Sequence, residues 1–198
     1  MHRVISMCLE AAIAAIVLVP VFLILNRHCF RDWTKTVCYF IFAVYLSAVD
    51  SVVGLPDVTY IRFQPNINLT PFAYMFSDFK NSFLNVLLFM PLGFFLPVFW
   101  KNFKKLYWTV LFGFCTSLLI EVLQIFTFRA TDVNDLMTNT FGTFLGWCAA
   151  RILLWLAPGI TPGWKTKEVY VVCGATFAVM LFLQPFLSDF LWLFLYSR

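Results

Sequence analysis

Charged residues are scarce in this chain of 198 amino acids. Asp, Glu, Lys and Arg together make up 12% of the sequence, whereas a soluble globular domain carries about 25%. In their place, 62% of the residues are hydrophobic and 20% are aromatic, and the apolar residues gather in repeated long runs. This composition excludes an ordinary soluble domain and predicts a polytopic membrane protein, with the lipid bilayer as a partner.

Residues that bind transition metals or form disulfide frameworks are also few. The chain has two histidines, and its six cysteines are scattered without a CxxC or a Cys/His ligand spacing. The sequence therefore does not predict structural zinc, a zinc hydrolase or a disulfide scaffold. It also lacks a basic block and any nucleic-acid-binding motif, so no nucleic-acid partner is expected.

Six apolar runs divide the chain. Each has a core of about 18 to 23 residues, close to the roughly 20 that a helix needs to cross the hydrocarbon of a bilayer. The runs cover approximately residues 7–25, 37–55, 83–100, 106–128, 136–156 and 169–196. The sequence therefore predicts an all-α fold, a polytopic membrane helical bundle of about six transmembrane helices.

The order of these runs suggests three parts. Residues 1–36 form an N-terminal transmembrane helix and a basic cytoplasmic loop, residues 37–157 form a core of four transmembrane helices, and residues 158–198 form a second loop and a C-terminal helix. Within the core, the segment 56–82 combines three prolines with recurring aromatics. The prolines forbid a continuous helix, and the aromatics favour a position along the outer membrane interface.

Lysine and arginine lie mainly in alternate loops. One set of loops contains Arg27, Arg31, Lys35, Lys101, Lys104, Lys105, Lys165 and Lys167. The short segments on the other side contain single arginines, namely Arg3, Arg129 and Arg198. By the positive-inside rule the first set is cytoplasmic, so we expect a multi-pass protein with both termini outside.

Polar residues collect at one end of the predicted bundle. They are, in chain order, Asn85, Glu121, Gln124, Arg129, Asp132, Asp135 and Asn139. In the predicted orientation all of them lie on the non-cytoplasmic side. Because an Asp at the centre of a membrane costs about 2.5 to 3.5 kcal/mol even on lenient scales, the acids of this set are candidates for a functional site.

Many of these polar residues are spaced three or four positions apart, which places them on one face of the fourth helix and on one face of the fifth. The faces consist of Gly113, Ser117, Glu121 and Gln124 on the fourth helix, and of Asp135, Asn139, Gly142 and Gly146 on the fifth. The Gly142–Gly146 pair allows a neighbouring helix to approach closely. Since only a short loop joins the fourth and fifth helices, we expect the fourth helix to be that neighbour and the two polar faces to meet.

The acids are the candidate catalytic residues, and the other polar side chains are the candidate binding residues. Glu121, Asp132 and Asp135 can supply a general acid or base, or oxygen ligands for a divalent cation such as Mg²⁺ or Ca²⁺. Arg129 is the expected orienting or anion-binding group. The remaining binding candidates are Asn85, Gln124 and Asn139. The residues alone leave open whether the protein is an enzyme and which cofactor, if any, it holds.

Two other interpretations fit the same residues. Intramembrane polar groups also join helices by hydrogen bonds, which predicts a non-catalytic membrane interaction protein. Alternatively, Pro91, Gly93 and Pro97 make the third helix a candidate broken helix of the kind found at transporter sites. That interpretation predicts a transporter of small molecules or lipids.

Four ordered motifs identify a family resemblance that extends from about Val37 to Leu156. They are NLTPF (68–72), NVLLFMPLGFFLP (85–97), E-x-x-Q (121–124) and R-x-x-D-x-x-D-x-x-x-N-x-x-G (129–142). This set resembles the VanZ-like family. The resemblance implies a bacterial cytoplasmic-membrane protein of the cell envelope that contributes to resistance to the glycopeptide antibiotic teicoplanin. A lipid-linked envelope precursor or a lipoglycopeptide is then the expected partner of the acidic and amide site.

Overall fold

The computed structural model describes residues 2–56, 58, 61–63, 66–72, 79–127, 130–157, 159–160, 162–187 and 190, with side chains from residue 10 onwards. This part of the chain contains six α-helices: α1 (His2–Leu25), α2 (Trp33–Val53), α3 (Phe79–Phe99), α4 (Leu106–Gln124), α5 (Val133–Leu156) and α6 (Lys167–Ala178). Two short strands, β1 (Ile67–Asn68) and β2 (Thr131–Asp132), pair in parallel. Single turns of π-helix or 3₁₀-helix occupy Asn26–Phe30, Lys101–Lys104 and Val179–Leu183. The predicted all-α fold is confirmed.

Five helical segments of the described chain are long and apolar enough to cross a membrane. They are Glu10–Phe30, Trp33–Val53, Phe79–Phe99, Leu106–Gln124 and Lys167–Leu187. α5 has 24 residues and therefore the necessary length, but its asparagines, threonines and glycines make it less apolar than the others. The chain is a multi-pass membrane protein, and its most polar long helix is the one that carries half of the candidate site.

The chain divides into two compact units, Met1–Ile61 with Tyr170–Arg198 (unit 1) and Arg62–Val169 (unit 2). In unit 1, α1 and α2 pack against each other. The chain reverses between them at Arg31, whose φ is 52°. Asp32 then caps α2 by accepting a hydrogen bond from the Lys35 backbone N–H at 3.1 Å, and the rings of Phe30 and Tyr39 meet with centroids 5.0 Å apart.

In unit 2, α5 lies between α3 and α4, and glycines set how close it comes to α3. A Cβ added at Gly142 would overlap the backbone carbonyl of Val86, and one added at Gly146 would overlap that of Met90. The expectation that α4 is the close neighbour of this pair was therefore wrong, because the closest backbone approach is to α3. A short loop makes α4 adjacent to α5, but the face that carries the small residues decides which helix comes closest.

The third helix is also continuous. α3 runs from Phe79 to Phe99 with Pro91 and Pro97 inside it, so the interpretation of this segment as a broken helix was wrong. Gly93 of α3 meets the backbone of Thr143 on α5. Gly93 therefore permits close packing of this helix against α5, and the two prolines do not break the helix.

Candidate functional site

Glu121 lies at the centre of a buried polar layer between α4 and α5. It is the fourth residue from the end of α4, and only 4% of its surface is exposed. Its carboxylate Oε2 accepts a hydrogen bond from the backbone N–H of Asp132 at 2.8 Å, and its own carbonyl accepts one from Thr131 Oγ1 at 2.9 Å. A carboxyl group is costly to bury without such partners. These two hydrogen bonds therefore stabilise the buried Glu121 and join the end of α4 to the start of α5.

Asp132 is the N-cap of α5, and amide groups occupy both oxygens of its carboxylate. Oδ1 accepts from the backbone N–H of Asn134 at 2.8 Å and from the Asn134 side-chain amide at 2.9 Å. Oδ2 accepts from the side-chain amide of Asn68 at 3.1 Å. An N-cap aspartate typically stabilises a helix by about 0.5 to 2 kcal/mol. The observed role of this side chain is therefore to hold the start of α5 against the segment that contains Asn68.

That segment, residues 66–72, forms one wall of the site. Its strand pairs Asn68 with Asp132, and the Thr131 N–H donates to the Asn66 carbonyl at 2.9 Å. The buried side chain of Asn134 continues the contact, because its Oδ1 accepts from the Phe72 backbone N–H at 2.7 Å. The sequence analysis missed Asn68 and Asn134 as site residues. The motif NLTPF contained a signal for Asn68, since Asn68 opens it.

A second pair of side chains joins α3 to α5. Asn85 donates from Nδ2 to Oδ1 of Asp135 at 2.7 Å, and both residues are half-buried. The hydrogen bond fixes one oxygen of this carboxylate at the first turn of α5. It also connects the start of α3 to the same polar layer that contains Glu121.

Asn139 extends the layer one turn deeper into the bundle. It is 3% exposed, and its Nδ2 donates to the buried Ser117 Oγ at 2.9 Å. In the part of the chain that the structure describes, its Oδ1 is buried without a hydrogen-bond partner. Leaving a buried acceptor unsatisfied costs about 1 to 3 kcal/mol, so this oxygen marks a position where a donor from a ligand would be stabilising.

Most of the predicted site residues are thus brought together at one end of unit 2. Gln124 ends α4 and is 4% exposed, next to the layer formed by Glu121 and Asp132. The predicted contact between the polar faces of the fourth and fifth helices is observed in the Ser117–Asn139 hydrogen bond, and Asp132, just before the fifth helix, donates its backbone N–H to Glu121. Arg129 lies outside the described residues.

The acids do not converge as metal ligands do. Among the described residues, no three His, Cys, Asp or Glu side chains are grouped closely enough to hold a metal ion. Asp132 is occupied by amides, and Asp135 is held by Asn85. The suggested Mg²⁺ or Ca²⁺ site stays a prediction.

Comparisons with known proteins show which family this chain resembles. The family model VanZ/LLP1 matches residues 35–155, a range that contains the candidate site residues. Protein VanZ from Enterococcus faecium is 42% identical over 86 residues, which is 42% of this chain and 51% of that relative. The chain therefore spans about half the length of the curated relative it matches. No solved structure matches the chain.

Proposed function

This chain belongs to the VanZ/LLP1 family, and from that membership and the buried layer around Glu121 we propose that it protects bacteria against teicoplanin by binding or modifying a lipid-bearing component of the cell envelope. The similarity to Protein VanZ of Enterococcus faecium supports the relation to this family, while the links to resistance and to teicoplanin follow from the family resemblance. The component is a lipid-linked wall precursor or a lipoglycopeptide.

The observation that carries this proposal is the burial of a carboxyl group inside a membrane-spanning helix. Intramembrane acids are costly and usually mark functional sites. Glu121 accepts a hydrogen bond from the backbone N–H of Asp132. Among the described residues, Asn139 Oδ1, one turn deeper on α5, is a buried acceptor without a hydrogen-bond donor. A headgroup with amide and hydroxyl donors would satisfy both acceptors, and such groups are abundant in sugar and peptide components of the envelope.

The proposal includes a membrane orientation. The distribution of Lys and Arg favours the cytoplasmic membrane with both termini outside, so that the site faces the cell wall. The site would then meet envelope precursors on the side where glycopeptides act. Glu121 would be the charged centre of the site, Asp135 its second acid, and Gln124 and Asn139 its hydrogen-bonding walls.

The test is a charge-removing substitution that keeps the shape of the site. In Glu121→Gln the side-chain carbonyl still accepts from the Asp132 N–H, so the start of α5 keeps its hydrogen bond. We expect the minimal inhibitory concentration of teicoplanin to fall to that of cells without the gene, at unchanged protein level by immunoblot. Glu168→Gln, which changes a carboxylate at the start of α6, is the matched control and should keep resistance.

Unchanged resistance in the Glu121→Gln variant would refute this function. Loss of resistance together with a lower melting temperature or a lower protein level would instead favour the second candidate, a non-catalytic membrane interaction protein, which the use of both Asp132 oxygens as structural acceptors supports. The transporter interpretation depended on a broken third helix, and α3 is continuous from Phe79 to Phe99.

A further inference from the structure

A basic surface lies at the end of unit 2 where α4 starts, opposite to the Glu121 layer. We call it the basic end, and its cationic residues are Lys101, Lys104, Lys105, Arg151, Lys165 and Lys167. All of these side chains are exposed except Lys104, which is half-buried. Among the described residues of this surface there is one acid, Glu168, so the surface carries a clear excess of positive charge.

A tryptophan of α5 joins an arginine to the lysines of this surface. The indole N–H of Trp147 donates to the backbone carbonyl of Lys104 at 3.3 Å. Arg151 is one turn further along α5, and its guanidinium carbon lies 5.7 Å from the centroid of the Trp147 ring, a cation–π distance. Because the same indole contacts both residues, Arg151 lies beside the 3₁₀ turn Lys101–Lys104.

The backbone of this turn is held in place from two sides. Phe103 is buried, and its carbonyl accepts a hydrogen bond from the buried Thr109 Oγ1 at 2.6 Å. The Lys101 N–H donates to the Trp164 carbonyl at 3.4 Å, which brings the loop of Lys165 to the same place. The lysines therefore project from a fixed backbone, so less conformational entropy is lost when they bind a ligand.

The turn leads into the N-terminus of α4, which adds donors to the cations. Lys105 is the N-cap residue of this helix, and a lysine side chain has no acceptor for the first N–H groups. Those N–H groups carry partial positive charge and lack intrahelical acceptors, so they stabilise an anion. A phosphate group suits the combination, because the guanidinium of Arg151 can bind two of its oxygens at once.

Neighbouring aromatic side chains indicate that the basic end lies at the depth of lipid headgroups. α3 ends at Phe99 and α4 starts at Leu106, and both helices are long and apolar enough to cross a membrane. Tyr107 and Trp108 are exposed at the start of α4, and Trp155 is 81% exposed near the end of α5. Tyrosine and tryptophan gather at membrane–water interfaces. The phosphates of phospholipids are therefore the anions concentrated at this surface.

We propose that the basic end binds the phosphate of an anionic phospholipid. Lys101, Lys105 and Arg151 are its cationic contacts, and the N-terminus of α4 supplies backbone donors. The lipid carries a net negative charge, because the ammonium group of a zwitterionic headgroup would be repelled by the same cations. The inference does not rest on the proposed function, since this surface contains no residue of the Glu121 layer.

The experiment measures lipid binding to the full chain in detergent by native mass spectrometry. The probes are phosphatidylglycerol and phosphatidylcholine with identical acyl chains. We expect phosphatidylglycerol to bind at least about tenfold more tightly, because each lysine or arginine near an anionic lipid adds to the attraction. Equal affinities for the two lipids would overturn the proposal.

Single substitutions locate the binding. Lys105→Gln and Arg151→Gln should each weaken phosphatidylglycerol binding by about fivefold and leave phosphatidylcholine binding unchanged. Lys80→Gln removes an exposed lysine at the start of α3. It is the matched control and should bind phosphatidylglycerol as the parent does. An equal loss in Lys80→Gln and Lys105→Gln would show attraction to net charge alone and would overturn the proposed site.

Two further measurements complete the test. The two substituted side chains are exposed and belong to different elements, so one variant with the elution volume and melting temperature of the parent is sufficient. Glycerol phosphate is the soluble probe, and at the concentration of the lipid it should not displace phosphatidylglycerol. Displacement would identify the basic end as a site for soluble phosphates and would overturn the assignment to a lipid.

Discussion

Among the site residues, Asp132 has two separate tasks. Its backbone N–H donates to Glu121, and its carboxylate caps α5 and holds Asn68. The sequence placed this acid among the catalytic candidates, and that role stays a prediction. The hydrogen bonds show instead how a residue near the site can position the group at its centre. Glu121 and Asn139 are buried within membrane helices, where a polar side chain is costly. Their polarity is therefore the strongest indication of a functional role.

Asn139 and Ser117 allow stability to be separated from function. Replacing both partners of a buried hydrogen bond by apolar groups is nearly neutral or stabilising, and this pair also includes the unsatisfied Oδ1. We therefore expect the double variant Ser117→Ala with Asn139→Leu to melt at the same or a higher temperature in detergent. If the oxygen binds a ligand, teicoplanin resistance should nevertheless be lost.

The control for this double variant is Ser47→Ala in α2. Ser47 is fully buried and bonds to the carbonyl of Ala43 within its own helix at 3.0 Å. Its removal should leave resistance unchanged. Full resistance in the double variant would show that the pair serves packing, whereas a much lower melting temperature would show that the pair is needed for the fold.

At the scale of elements, the contact between α3 and α5 depends on glycines that face backbone. The atoms that a Cβ at Gly142 would meet belong to the main chain of Val86, so no side-chain rotation can relieve the overlap. Overpacking of this kind typically costs about 1 to 3 kcal/mol. We expect Gly142→Ala to lower the melting temperature in detergent and to disturb the Asn85–Asp135 hydrogen bond, which joins the same two helices.

Gly174→Ala is the matched control for this substitution. Gly174 lies inside α6, where an added Cβ would meet nothing within 4 Å. Because alanine is a better helix former than glycine by about 1 kcal/mol, this variant should be as stable as the parent or more so. Equal melting temperatures for the Gly142→Ala variant and the parent would contradict the close approach of α3 and α5.

These elements also show what the sequence can and cannot predict. Apolar length predicted the helices, and steps of three or four residues predicted that the polar faces of α4 and α5 meet. The predicted helix partner of the Gly142–Gly146 pair was wrong, because a sequence shows which helices are adjacent along the chain but not which helix backbones come closest. The hydrogen bond between Asn68 and Asp132 joins residues 64 positions apart, so no local pattern contained it, and only the family motif pointed to Asn68.

At the scale of the whole molecule, charge and site occupy opposite ends of unit 2. The loops that carry Lys101 and Lys165 are joined at one end, where the Lys101 N–H donates to the Trp164 carbonyl at 3.4 Å and the Trp164 N–H donates to the Phe99 carbonyl at 3.0 Å. α4 starts beside these loops and ends at the candidate site. Glu121 is 15 residues beyond the start of α4, about 22 Å along the helix axis.

This separation gives the membrane orientation a direct test. In a cysteine-free background, Leu69→Cys introduces a thiol at an exposed position beside the site, and Lys165→Cys introduces one at an exposed position in the basic loops. We expect a membrane-impermeant maleimide to label the first in intact cells and the second only after permeabilisation. The reason is that basic loops are retained in the cytoplasm, and α4 then carries the site to the opposite side.

The opposite labelling pattern would have a specific consequence. If Lys165→Cys reacts in intact cells and Leu69→Cys does not, the Glu121 layer faces the cytoplasm, and a wall-side lipid precursor or antibiotic cannot reach it. Labelling of both positions after permeabilisation is the control for thiol reactivity. Because Leu69 follows Asn68, which contacts the Asp132 cap, its accessibility reports on the wall of the site itself and not on a distant loop.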